Sequence, residues 1–300
     1  MMRSAYLAAA GFEAQLRVEL GERIVAEHGR LMLCDGPATP AAWAANIWQA
    51  PQEIEIASIS DAAARLRALQ RNWALYAPAH FRRARLIAEK LPHVSARPLT
   101  FPQPAPAAPL GSWTLLAPDR LLVSAQCSSP FPNGEVEFVE DRSGPPNRAY
   151  LKLWEALTRL RRYPQPGELC LDLGASPGGW SWVLAKLGAR VIAVDKAKLE
   201  PRIAALPTIE WRQDSAFALD PAAFGAVDWL CCDVVCYPAR LLKLVQRFLA
   251  QGRVRNFVCT LKFQGETDHD SARAFAAIPG SQLFHLHHNK HELTWCLPRP

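Results

Sequence analysis

The sequence predicts an α/β protein: a doubly wound, mostly parallel sheet in the C-terminal part, preceded by a smaller N-terminal α+β domain. Two observations carry this prediction. After Pro146, short apolar runs of strand character alternate with stretches of helical periodicity. That is the pattern of successive βαβ units, with helices on both faces of a parallel sheet. Ahead of it the composition breaks twice, first where Pro98, Pro102, Pro104, Pro106 and Pro109 crowd together, then at Ser143-Gly144-Pro145-Pro146-Asn147. Proline at such density blocks regular helix and sheet and reads as a stiff connector. The breaks divide the chain into residues 1–140 and 141–300.

In the N-terminal part, Leu16, Leu20, Ile24 and Val25 fall at helical spacing and predict a helix over Phe12–Glu27. Leu31–Cys34 and Ile54–Ile59 have strand character. Asp61 is placed to cap a helix running through Leu66, Leu69 and Trp73, and Ala79–Leu91 reads as a helix bearing Arg82, Arg83, Arg85 and Lys90. Trp113–Leu116 and Leu121–Ala125 read as paired strands. In the C-terminal part the predicted strands are Leu169–Leu173, Val191–Val194, Val227–Cys232 and Asn256–Leu261, with Ile209–Gln213 as a further one. Helical patterns lie at Gly178–Leu187 and Ala239–Leu249, and Gln282–His287 with Leu293–Leu297 suggest a terminal hairpin.

Half of the 300 residues are hydrophobic and 21% are charged, ordinary globular composition that argues against long disorder. The net charge of +6 is a mild excess that would help to hold a polyanion. Most of the eight cysteines sit in apolar runs, where a reduced thiol acts as a small hydrophobe. Cys232 and Cys236 lack a second close pair, so no metal site is expected. No segment reads as a signal peptide or a membrane span, and a reduced cytoplasmic protein is the expectation.

The central signal is Asp172-Leu173-Gly174-Ala175-Ser176-Pro177-Gly178-Gly179-Trp180, where an apolar strand runs into a glycine-rich turn and a helix follows at once. Glycines let the backbone turn sharply, and at Gly178 the missing side chain would leave room for a ligand. The spacing fits neither the dinucleotide fingerprint nor the phosphate loop. Asp195 ends the next strand, where a carboxylate can accept hydrogen bonds from a ribose diol, and Asp214 follows the third strand, placed for an adenine amino group. Asp233 and Lys262 end two further strands, so both should face the same crevice.

This turn resembles the S-adenosylmethionine motif of the FtsJ family of ribose 2′-O-methyltransferases, which reads D-L-G-A-x-P-G-G-W. The resemblance implies a Rossmann-like methyltransferase domain with S-adenosylmethionine as cofactor, held by Gly174, Ser176, Pro177, Gly178, Gly179, Trp180, Asp195, Asp214 and Asp233. The family uses a Lys-Asp-Lys-Glu tetrad, matched in order by Lys152, Asp233, Lys262 and Glu292. By that resemblance Lys262 is the general base, with the other three orienting it. A lysine serves as a base only in its neutral form, which a neighbouring cation such as Lys152 favours.

Within the family the chain is most similar to the RlmM type, which methylates a cytidine ribose in 23S rRNA. The likeness extends upstream through Ser128-Ser129-Pro130-Phe131, and Ala10-Gly11-Phe12-Glu13 is similar to that type's start. It implies a THUMP-like RNA-binding domain in the N-terminal part, here shorter and interrupted by prolines. The partner implied is RNA, 23S rRNA first, and neither DNA nor a membrane. Another RNA, such as tRNA or a cap, is an alternative substrate. A scaffold that keeps the fold without the activity is a third reading, and an intact tetrad argues against it. His285, His287, His288 and His291 read as a solvated or RNA-facing cluster rather than a metal site. The Arg82–Lys90 basic group suits either an RNA-backbone contact or an exposed helix face.

Overall fold

The computed structural model describes residues 2–299, and the chain divides into two units. The first comprises the residues up to Leu99 together with Ala105–Glu137, and the second comprises Thr100–Pro104 and the residues from Phe138 onward. The change of unit at Glu137/Phe138 thus falls before the Ser143–Asn147 break, and the proline-rich connector is shared out between the units.

In the first unit the strands are β1 (Arg3–Ala8), β2 (Ile24–His28), β3 (Leu31–Asp35), β4 (Ala44–Trp48), β5 (Gln52–Glu55), β6 (Trp73–Leu75), β7 (Gly111–Ala117) and β8 (Arg120–Ser124). They form two four-stranded sheets, in the orders β2-β3-β1-β4 and β5-β8-β7-β6. Helices α1 (Glu13–Leu20), α2 (Ile59–Leu69) and α3 (Phe81–Ala88) complete the unit. Alternation along β8 divides its side chains between two cores. Leu121 and Val123 pack with Trp113, Leu66 and Ile87 beneath α2 and α3, while Leu122 joins Leu7, Leu33 and Trp48 of the first sheet.

Four local expectations for this unit are corrected. The helix over Phe12–Glu27 stops at Leu20, because Gly21 takes φ 57°, and Ile24 and Val25 continue as a strand paired with β3. Ser58, rather than Asp61, caps α2: its hydroxyl accepts the Asp61 N–H, and Asp61 reaches back to the Ala57 N–H, a reciprocal box at the helix start. That box turns Ile59 into a helical residue, which shortens the expected Ile54–Ile59 strand to β5, and α2 ends before Trp73, which opens β6.

The second unit holds a seven-stranded sheet built from β9 (Leu169–Leu173), β10 (Arg190–Asp195), β11 (Ile209–Gln213), β12 (Ala226–Cys232), β13 (Arg253–Lys262), β14 (Gln282–Phe284) and β15 (Glu292–Pro298). Its order is β11-β10-β9-β12-β13-β15-β14. The first five are parallel, and β15 pairs antiparallel with both β13 and β14, so the expected doubly wound fold is present, closed by the expected hairpin. Helices α4 (Tyr150–Leu160), α5 (Gly179–Lys186), α6 (Pro201–Ala204), α7 (Pro238–Gln251) and α8 (His269–Ala276) accompany it. The strand order reverses between β9 and β12, which opens a crevice at their C-terminal ends. Among the described residues no helix is long and apolar enough to cross a membrane.

Candidate active site

Strand geometry brings the site together. Leu173 and Cys232 are register partners on β9 and β12, and the Asp233 N–H donates to the Leu173 carbonyl at 3.1 Å, so Asp233 leaves the sheet beside the glycine turn. Lys262 and Glu292 face each other at the ends of the antiparallel pair β13 and β15. The fourth group comes from α4, whose residues Tyr150–Thr158 are all buried, Lys152 included.

The four side chains meet. Lys152 Nζ donates to both carboxylate oxygens of Asp233, at 2.7 and 2.9 Å, and lies 3.2 Å from Glu292 Oε1. Lys262 Nζ donates to the Asp233 carbonyl at 2.5 Å and lies 3.2 Å from Asp233 Oδ1. Side-chain exposure runs from 9% at Glu292 to 19% at Lys262. Burying charge at this depth is costly unless each ion is paired, and two ammonium groups against two carboxylates provide that pairing. Asp233 is the hub, touched by both lysines. Lys262 is the more open of the two and so the one a substrate can reach.

The glycine turn is built for its own protein contacts. A Cβ on Gly174 would sit 2.6 Å from the backbone of Val234, and one on Gly179 would sit 2.4 Å from Asn147 Oδ1. At Gly178 a Cβ would meet Ile203 at 2.6 Å, and φ there is 116°. The expectation that Gly178 leaves space for a ligand is therefore corrected: that space is taken by Ile203 on α6. Ser176 donates its N–H to Asp195 Oδ2 at 3.0 Å and its hydroxyl to the Lys198 carbonyl, and the Pro177 carbonyl accepts from the Glu200 N–H. Trp180 is buried, and its indole N–H donates to the Ala149 carbonyl at 2.9 Å, tying α5 to the start of α4. Asp195 also accepts from the Ala197 N–H, whereas Asp214 stands exposed just beyond β11.

Two buried carboxylates carry structural weight that sequence reasoning missed. Asp172, fully buried at the end of β9, accepts the Ser181 hydroxyl on Oδ2 at 2.6 Å, while its Oδ1 has no partner among the described residues. Burial first, then the nearby charges of Asp233 and Asp195, push its carboxyl up to about 7. Three carboxylates thus converge on the turn, one with a buried acceptor unsatisfied, which suits a ligand carrying positive charge and hydroxyl donors. Glu155, fully buried one turn after Lys152, accepts from Arg159, from the His287 and His288 N–H groups and from His288 Nδ1. Burial opposes its ionisation, but Arg159 and His288 outweigh that and hold it at about 2. The signal for Glu155 was its position at i+3 from Lys152 on a helix apolar around it.

The histidines are corrected as well. His285 is buried, with its ring against the Lys290 carbonyl, and burial brings it down to about 4. His288 is bound to Glu155 and His291 to the Thr267 hydroxyl, so the four do not form a solvated group. Among the described residues no three His, Cys, Asp or Glu side chains are grouped to hold a metal.

Known proteins place this domain. The sequence profile of the FtsJ-like methyltransferase family matches residues 145–274. The protein named ribosomal RNA large subunit methyltransferase M from Halorhodospira halophila is 36% identical over 172 residues, 55% of this chain and 50% of the relative. Its namesakes from Marinomonas sp. and Laribacter hongkongensis are 29% and 33% identical, covering 58% and 60% of this chain and 53% and 56% of their own lengths. The chain therefore spans about half the length of the curated relatives it matches. The motif and this match agree: both liken the segment from residue 145 to residue 274 to the FtsJ-like methyltransferase family.

Proposed function

We propose that the chain is an S-adenosylmethionine-dependent RNA methyltransferase that methylates a ribose 2′-hydroxyl, that of a cytidine in 23S rRNA. The observation that carries this reading is the joined Lys152, Asp233, Lys262 and Glu292 cluster at the strand ends beside the glycine turn. The names of the relatives supply the RNA. With that substrate the enzyme works in the cytoplasm.

The residues around the turn fit the cofactor. Asp172, Asp195 and Asp233 offer the carboxylates a cationic ligand needs, the turn at Gly174–Gly179 shapes the crevice, and Asp214 lies at the edge where an adenine would reach. When bound, S-adenosylmethionine supplies an electrophilic methyl group on its sulfonium. The side chains do the rest. Lys262, in its neutral form, takes the proton from the 2′-hydroxyl as the oxygen attacks. Asp233 fixes the Lys262 nitrogen through its backbone carbonyl and carboxylate, and Lys152, clamped between Asp233 and Glu292, holds that carboxylate in place. The first unit would bind the RNA, with Arg82 and Arg85 exposed on α3 as phosphate contacts.

Replacing Lys262 by Met keeps the stem and removes the amine. Single-turnover methyl transfer to unmodified large-subunit rRNA should fall by roughly two to four orders of magnitude, with cofactor and RNA affinity little changed. A near-normal rate would remove Lys262 from the mechanism.

A further inference from the structure

The segment that leaves the site carries side chains the chemistry described so far does not use. Between Asp233 and the start of α7 lie only Val234, Val235, Cys236 and Tyr237. Apolar residues in such a loop normally turn inward, and Cys236 does, being buried. Val235 and Tyr237 do the opposite: they are 72% and 64% exposed, the two most exposed large apolar side chains of the second unit among the described residues. Single exposed apolar residues are ordinary; two on the short loop that begins at Asp233 call for a reason.

The backbone of Tyr237 is also held still. It is the N-cap of α7, with Pro238 following, and its carbonyl accepts from the Arg240 and Leu241 N–H groups. Its side chain forms no hydrogen bond and no ring contact among the described residues. Four residues carry its Cα at most about 14 Å from that of Asp233. Arg240 and Lys262 both act on Cys236, and the first turn of α7 bears Arg240 and no acidic residue. Arg240 is exposed, with its guanidinium stacked 3.8 Å above the Phe217 ring and so fixed in place. An outward aromatic ring on a fixed backbone, one helical turn from a fixed cation, is the pair that single-stranded nucleic acid recognises, the base by stacking and the phosphate by charge.

We infer that Tyr237, with Val235 two residues before it and Arg240 in the first turn of the helix it caps, is a stacking platform for an unpaired nucleobase of the RNA strand that presents its ribose to Lys262. This rests on the reading of the site as an RNA ribose methyltransferase and adds the single-stranded character of its substrate. Stacking depends on the ring and not on the hydroxyl, so Tyr237→Phe should behave as the unmutated protein, whereas Tyr237→Ala should not. The probe is a single-stranded oligoribonucleotide bearing 2-aminopurine, whose fluorescence is quenched on stacking. With Tyr237→Ala its affinity should fall roughly five- to hundredfold and the quench should vanish. In the transfer assay the same variant should raise KM for RNA while kcat and cofactor affinity hold. Unchanged affinity and quench in Tyr237→Ala overturn the platform, and so does a Tyr237→Phe variant as weak as the alanine one. If the protein transfers no methyl group to RNA and Tyr237→Ala still loses binding and quench, the platform stands and the methyltransferase reading falls.

Discussion

The two units bury polar side chains of different kinds. Among the described residues, those buried in the first unit are neutral: Ser4, Asn46, Ser112, Thr114, Ser124 and Ser129. In the second unit Lys152, Glu155, Asp172 and Glu292 are buried as well: Lys152 and Glu292 in the cluster at the strand ends, Asp172 beside the glycine turn, and Glu155 one helical turn along α4 from Lys152. A buried hydroxyl or amide needs one or two hydrogen bonds, which local turns supply. A buried ion needs a counter-ion and several donors, and a fold carries such groups mainly where they have work to do. The first unit therefore has an interior held by neutral hydrogen bonds, and the second an interior that also encloses charged groups.

Removing one charge and one neutral group puts numbers on the contrast. Glu155→Ala strands Arg159 and the His287–His288 turn, and should destabilise the second unit by about 3–5 kcal/mol. Asn46→Ala takes away the partner of the Ser112 hydroxyl and of the Ser129 N–H, at about 1–3 kcal/mol. Urea unfolding followed by hydrogen exchange, which assigns the loss to each unit, would check both. Equal costs would dissolve the comparison.

The pH dependence should separate two buried carboxylates within the second unit. Asp172 titrates near 7 when folded and near 4 when unfolded, so between those values the folded chain holds a proton that the unfolded chain has lost. Stability should then fall as pH rises through that window, by about 1.4 kcal/mol per unit from this group. Asp172→Asn should flatten the fall. Glu155 acts oppositely: held at about 2, it contributes stability above about pH 4.5 that is lost as pH drops toward 2. Denaturation midpoints of the Asp172→Asn variant and the unmutated protein between pH 4 and 7 decide this, and parallel curves would remove Asp172 from the titration.

The smallest expected effect concerns the first unit. Arg82 and Arg85 are exposed on α3, Arg85 with only a 3.5 Å contact to Glu89, and Arg83 is half-buried. Reversing all three charges should weaken RNA binding modestly and flatten the slope of log affinity against log salt by roughly one to three, with cofactor affinity untouched. An unaltered slope would leave α3 a solvated face.

How far these features could be read beforehand follows from the range of the forces involved. The alternation after Pro146, the glycine turn and the strand ends carrying Asp195, Asp233, Lys262 and Glu292 are written in neighbouring residues, because periodicity and turn chemistry act locally. The limit of α1 was misread for the same local reason: Ile24 and Val25 fit a helix by spacing, and only the backbone turn at Gly21 and pairing with β3 made them a strand. What the tertiary structure alone decided are the meetings of distant groups: Lys152 with Asp233 across 81 positions, and Glu155 with His288 across 133. It also filled the space at Gly178 with Ile203, left Asp172 with an unsatisfied oxygen and turned Tyr237 outward. Burial sets those outcomes, and burial belongs to no residue until the sheet and its helices have closed around it.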